Sequence, residues 1–204
     1  MSLVLASIRT RSPLKMGTWV TLVAFLSIAS GERAYLFRAS EGLEPRPVSV
    51  IELVVTLGAC CIPAVGHPQM WSWERVHSRP GVRMVAASWV PGCIVLVGLL
   101  PTFLRAARPG LDASVPTTAL CNVLIFGSVA AVVTVFVSRR AGSSAAIAGY
   151  VVGVAVQALD VALPVPVRTT DEGTWAVVVA CAAVMTAAAL MMVTLGRTPG
   201  SDDA

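Results

Sequence analysis

Charge is scarce in this chain. Aspartate, glutamate, lysine and arginine make up 13% of its 204 residues, about half the share of a soluble globular domain, and this excludes an ordinary water-soluble fold. Lysine is nearly absent, with Lys15 standing alone against fourteen arginines. No Gly-x-x-x-x-Gly-Lys-Ser/Thr loop occurs, so any work done with ATP requires a second chain to hydrolyse it. Histidine is limited to His67 and His77 in one polar stretch, and no His-Glu-x-x-His zinc motif is present. The aspartates are too few and too dispersed for an aspartyl protease or a diphosphate–magnesium site. The chain is therefore expected not to be an enzyme, with no catalytic residues, no metal and no cofactor of its own.

Cysteine excludes as much as it offers. Cys60, Cys61, Cys93, Cys121 and Cys181 all fall in apolar runs, where cysteine serves as a small hydrophobe. Adjacent Cys60 and Cys61 have neither redox Cys-x-x-Cys spacing nor the histidines of a zinc site. The net charge of +4 does not point to nucleic acid, because the basic residues are scattered over short connections rather than gathered on one face. No cleavable leader is expected, since the first apolar run follows Arg9, Arg11 and Lys15 and leads into no small-residue cleavage site.

What is abundant is apolar sequence: 56% of the chain, with a mean hydropathy of +0.79. A bilayer core of about 30 Å takes about 20 helical residues to cross. Six segments qualify, at roughly 14–31, 48–66, 84–104, 118–137, 144–163 and 175–195. The expected fold is an all-α polytopic membrane protein with six transmembrane helices: an amphipathic segment at 1–13, a transmembrane domain at 14–195 and a short tail at 196–204. Within these spans, Pro91-Gly92 is expected to bend the third.

Orientation follows from the basic residues of alternate loops. One side collects Arg9, Arg11, Lys15, Arg75, Arg79, Arg83, Arg139, Arg140 and Arg197, and the other has six, in loops such as 31–47 and 105–112. The richer side is cytoplasmic, and both termini face it. Arginine in place of lysine, with plentiful Ala, Val and Gly, suits a high-GC bacterial genome, so a multi-pass protein of the bacterial plasma membrane is expected.

Polar positions inside this apolar frame are the candidates for function. The segment Gln69–Arg83 holds Trp71, Trp73, Glu74, Arg75 and Arg79; its tryptophans suit a membrane interface and its charges suit water or another protein. It reads either as a docking element or as an ordinary interfacial loop. In the fifth span Ala146, Gly149, Gly153, Gln157 and Asp160 recur three or four apart, on one side of a helix. Gly149-x-x-x-Gly153 is a close-packing motif, so this face is either a packing surface within the bundle or the lining of a pathway or subunit seam. Glu52 falls in the first turn of its helix, where the unpaired N–H groups favour a carboxylate. Asn122, the strongly polar residue of the fourth span, is expected to make an interhelical hydrogen bond.

The basic amphipathic start, six spans with both ends inside and a charged loop after the second span resemble the permease subunits of type-2 ABC exporters. In that family the loop between the second and third spans forms a coupling helix that enters a groove on the ATPase, and often carries a Glu-Arg pair followed by Gly. Trp73-Glu74-Arg75 with Pro80-Gly81 looks similar. The opening Ala6-Ser-Ile-Arg-Thr-Arg-Ser-Pro-Leu-Lys15 is similar to compact permease-like proteins of actinobacteria. Where the family continues with Gly-Thr and a Leu-rich helix, this chain has Val76-His-Ser-Arg-Pro80, and Asp160–Val167 falls where the family places short re-entrant helices. The resemblance implies a cytoplasmic ATP-binding subunit as partner, a homodimer or pairing with a related permease, and an exported cargo. A different class remains beside it: a non-transporting six-span scaffold or immunity-type protein that binds a partner in the bilayer.

These expectations make a topology prediction. In intact cells a membrane-impermeant maleimide should label a cysteine placed at Ser40 and leave one at Ser72 unlabelled until the membrane is opened. Labelling of Ser72→Cys in intact cells would reverse the orientation.

Overall fold

The computed structural model describes residues 13–31, 33–37, 46–66, 80–111 and 114–158. These residues are almost wholly helical: α1 (Pro13–Ser30), α2 (Val50–Val65), α3 (Pro80–Ala107), α4 (Ser114–Phe136) and α5 (Arg139–Ala158), with a short antiparallel pair, β1 (Ala34–Phe37) and β2 (Arg46–Ser49), between α1 and α2. The first five expected segments coincide with helices α1 to α5, the fifth as far as Ala158; α1, α2 and α5 carry shorter apolar stretches than the two segments named below. The expected sixth, 175–195, and both terminal segments lie outside the described residues.

Sequence chemistry accounts for the helix ends. Gly31 follows α1 with φ 61°, the left-handed conformation that terminates a helix at little cost only when no Cβ is present. Pro80 opens α3 as its first residue, a position where the missing N–H has no intrahelical partner to lose. Proline therefore starts this helix four residues before the apolar run at 84. Pro91 and Pro101 lie inside α3, and the helix continues through both. Ser138 caps α5: its Oγ accepts the Ala141 N–H at 3.1 Å and its carbonyl accepts the Gly142 N–H at 2.9 Å, the bonds an N-cap residue provides. Arg139 and Arg140, counted above among the loop residues, thus belong to the first turn of α5.

The strand pair departs from the irregular polar loop expected at 31–47. Tyr35 pairs with Val48 and Leu36 with Pro47. The ladder reaches the helix itself, because the Val50 N–H donates to the Arg33 carbonyl at 3.0 Å. The start of α2 is thereby tied to the exit of α1.

Successive helices run in alternating directions, and α2 is the central one, packed against α1, α3, α4 and α5. Ile51, Val55, Ala59 and Ile62 of α2 meet Val23 of α1, Ile94 and Val97 of α3 and Val123 of α4 in the main apolar core. Cys60, Phe126, Ala130, Ala146 and Tyr150 make a second core between α2, α4 and α5, with Phe126 and Tyr150 edge to face at 5.3 Å. Outside the bundle the surface is also apolar: Leu22, Phe25, Leu26, Leu96, Phe103 and Val152 are exposed. Two segments, Trp89–Ala107 and Ser114–Thr134, are long and apolar enough to cross a membrane.

Glycines set the closest helix approaches. A methyl group at Gly58 would meet Val23 Cγ2 at 2.6 Å, and one at Gly127 would meet Ile94 Cγ2 at 2.8 Å. The tightest contact is at Gly142, where an added Cβ would collide with Thr134 Oγ1 and lie 2.6 Å from the Ala130 carbonyl oxygen. The obstacle there is backbone, which cannot rotate away. Gly142→Ala should therefore destabilise the bundle by about 1–3 kcal/mol, whereas Gly17→Ala, with nothing within 4 Å of the added methyl, should be neutral or stabilising by up to about 1 kcal/mol. Unfolding of the two variants in detergent checks the contrast.

Candidate functional site

Two of the most polar side chains in the described helices are buried together. Glu52 is 6% exposed and Asn122 is fully buried. Asn122 Nδ2 donates to Glu52 Oε1 at 2.7 Å, the short distance of a hydrogen bond with charge assistance. The Tyr150 hydroxyl reaches the same oxygen at 3.5 Å, at the outer limit of a hydrogen bond. One atom of α2 thus gathers a donor from α4 and a donor from α5.

Local structure explains why these residues meet. Glu52 lies in the first turn of α2, whose start is anchored to Arg33, and its face is repeated one turn on by Thr56 and two turns on by Cys60, all buried. The helices α2 and α4 run in the same direction, so Glu52 matches Asn122 as Cys60 matches Ala130. On α5, Gly142 admits the backbone of α4, and Ala146 and Tyr150 follow at successive fourth positions on the buried side. The close approach at Gly142 lets the phenol at Tyr150 reach across α4 toward α2.

The neutral polar groups around this point are not all matched. Asn122 Oδ1 and Thr56 Oγ1 are buried without a hydrogen-bond partner among the described residues. Thr134 Oγ1 of α4 and Ser143 Oγ of α5 are likewise buried without a partner among the described residues, whereas the hydroxyls of α1 bond locally: Ser27 Oγ to the Val23 carbonyl at 2.7 Å and Ser30 Oγ to the Ser27 carbonyl at 2.8 Å. The Trp19 indole N–H donates to the Gly58 carbonyl at 3.0 Å and stitches α1 to α2. Among the described residues no three His, Cys, Asp or Glu side chains gather to hold a metal.

The sequence candidates distribute unevenly over this geometry. Trp71, Trp73, Glu74, Arg75, Arg79 and Asp160 lie outside the described residues. Gly149 is exposed and Gly153 half-buried; a methyl at either would meet the Phe126 ring at the ordinary distances of 3.5 and 3.9 Å. Gln157 belongs to the last turn of α5. Asn122 makes the interhelical bond expected of a lone amide in an apolar helix. Glu52 is buried against that amide, beyond what its first-turn position alone implies. Tyr150 and Thr56 were missed by sequence reasoning. The available signal was that Glu52 and Asn122 are each isolated in apolar helices, and polar groups at such depth seek one another.

No family model, curated protein or solved structure matches the chain.

The clasp yields an asymmetry in mutational cost. Asn122→Leu should destabilise by about 2 kcal/mol because it removes the short hydrogen bond to a buried carboxylate. The double change Glu52→Leu with Asn122→Leu should recover part of that loss, as replacing both partners usually does. Tyr150→Phe should cost under about 1 kcal/mol, given the long bond. A double-mutant cycle of unfolding free energies checks all three.

Proposed function

We propose that the chain is a six-span protein of a bacterial plasma membrane, with both termini cytoplasmic, and that it serves as the permease subunit of an ATP-driven exporter of the type-2 ABC class. It pairs with itself or with a related permease. A separately encoded cytoplasmic ATPase docks on residues about 69–83.

The observation that supports this reading is that the end of α2, the start of α1 and α3 come together at one end of the bundle. Gly66, at the end of α2, sits beside Met16 near the start of α1 and Val90 in the early turns of α3. The turn from α4 to α5, with Arg139 and Arg140, belongs to the same end of the antiparallel bundle. Lys15, the arginine pair and both flanks of the Trp71–Arg79 stretch therefore share one end, as the positive-inside bias asks of a cytoplasmic face. Burial of Glu52 and Asn122 beneath an apolar exterior suits a bundle surrounded by lipid, where polar side chains face inward.

The mechanism follows from mechanical continuity. α2 runs from the strand pair to Val65, a few residues short of the proposed docking stretch, and α3, which opens at Pro80 within that stretch, is the longest helix of the described residues. Force applied by ATP-driven closure of the ATPases passes along both helices and rocks one bundle against its partner. The closed packing of α2, α4 and α5 around Glu52 favours a second reading, a non-transporting scaffold or immunity-type protein that holds a partner in the bilayer.

Co-purification decides between them. The exporter reading expects a separately encoded ATPase to accompany the chain from native membranes, and expects Glu74→Ala together with Arg75→Ala to reduce the retained ATPase at least about tenfold, the equivalent of about 1.4 kcal/mol. A complex unchanged by the double substitution would remove the docking role.

A further inference from the structure

The central helix is not enclosed on every side. Among the described residues α1, α3, α4 and α5 all pack on α2, and around it α1 meets α3, α3 meets α4 and α4 meets α5, but no comparable packing joins α5 back to α1. With axes about 8–10 Å apart, one helix has room for about six neighbours, so this ring stays open. The sequence of α2 marks the opening: Val54, Leu57, Cys61 and Ala64 are half-buried and, spaced three and four apart, share one stripe. Gly58, set against Val23 of α1, borders the stripe on one side. Cys60, in the core with Phe126 and Tyr150, borders it on the other. The outer side of α1 exposes Phe25 at 65% and Leu26 at 44%, whereas the stripe is recessed and floors a cleft between α1 and α5.

Where the chain goes next points to the occupant. α5 runs opposite to α2, so Ala158 stands at the end of the bundle that carries the strand pair, and residues 159–174 lead from there to the apolar run 175–195. A connection of that length reaches up to about 55 Å when extended, several helix diameters, and the cleft is the next place around α2. The run has no charged residue, and Ala176, Ala180, Ala183 and Ala187 recur three or four apart, a small-residue face that lets another helix approach closely. A segment tethered so near is held at an effective concentration of about millimolar, which favours it over a second copy of the chain. We propose that residues 175–195 pack as a helix in the cleft between α1 and α5, with the alanine face on Leu57 and Cys61. They run in the same direction as α2 and close the ring around the helix that carries Glu52. The assignment rests on the six-span part of the proposed function and not on the exporter part.

The test uses the full-length chain in cell membranes. Cys61 is kept, the other cysteines are replaced by alanine, and single cysteines are placed in turn at 182–189, the part of the run that stands level with Cys61 when it is aligned with α2. A disulfide needs Cα atoms within about 7 Å, so oxidation should bridge Cys61 within one chain to Ala183→Cys, to Ala187→Cys or to both, and should leave Met185→Cys, on the opposite side of the helix, unbridged. Should the cysteine-depleted chain fail to fold, a photoreactive residue at Leu57 of the chain with its own cysteines gives the same readout, its adduct expected on 175–195 of the same chain. Bridges or adducts between two chains, equal bridging at Met185→Cys, or no bridge anywhere in 182–189 would each overturn the assignment. Thr198→Cys, probed in intact cells with a membrane-impermeant maleimide, separates this failure from that of the six spans: protection without a bridge removes the docking alone, whereas labelling removes the sixth span as well.

Discussion

A carboxylate that leaves water must find its hydrogen bonds inside the protein, and in this chain Glu52 finds one on Asn122 in a different helix. That requirement fixes the register of α2 against α4. Sliding either helix by one residue would rotate the donor away from the acceptor and break the bond between two buried polar groups, at a cost of about 1–3 kcal/mol. The surrounding apolar contacts are less particular, because valine, isoleucine and alanine pack acceptably in several offsets. A polar pair in an apolar interface thus supplies specificity that the apolar residues alone provide weakly. The rest of the bundle is arranged around this fixed register, with α3 on one side of α2 and α5 reaching it through Tyr150.

Glycine supplies the complementary constraint. Gly58, Gly127 and Gly142 each stand where another helix comes too close for a side chain. In an apolar surrounding the gain from helix association comes largely from such close contact and from polar pairs, since lipid chains compete equally well for ordinary apolar surface. The described helices use both devices: glycine at the crossings and Glu52 with Asn122 at the centre.

The helices themselves were legible in the sequence, because long uncharged runs leave few alternatives in a chain with 13% charge. Their ends were read less well, for local reasons. The third span was expected from 84 and its helix starts at Pro80, and Arg139 and Arg140 looked like a loop although Ser138 caps a helix that includes them. The strand pair escaped notice because Ala34–Phe37 and Arg46–Ser49 are only four residues each, too short for periodicity to register. The small-residue pattern drew attention to Gly149 and Gly153, yet the position that admits another backbone is Gly142. Spacing alone marks which residues share a face; it does not say where along that face a neighbour crosses. Likewise nothing in the spacing of Glu52, Asn122 and Tyr150, separated by 70 and 98 residues in the two bonds they make, announces that they converge. Only the alternation of helix directions brings them level.

Between Phe136 and Arg139 the chain has just Val137 and Ser138 in which to reverse direction, and Ser138 is already engaged in capping. So brief a link stores no slack, and with Gly142 seated against Ala130 and Thr134 it makes α4 and α5 a single paddle. Among the described residues, relative movement of helices then falls at the borders of that paddle, where it meets α2 and α3, and the pair would form early, since its ends lie so near in the chain.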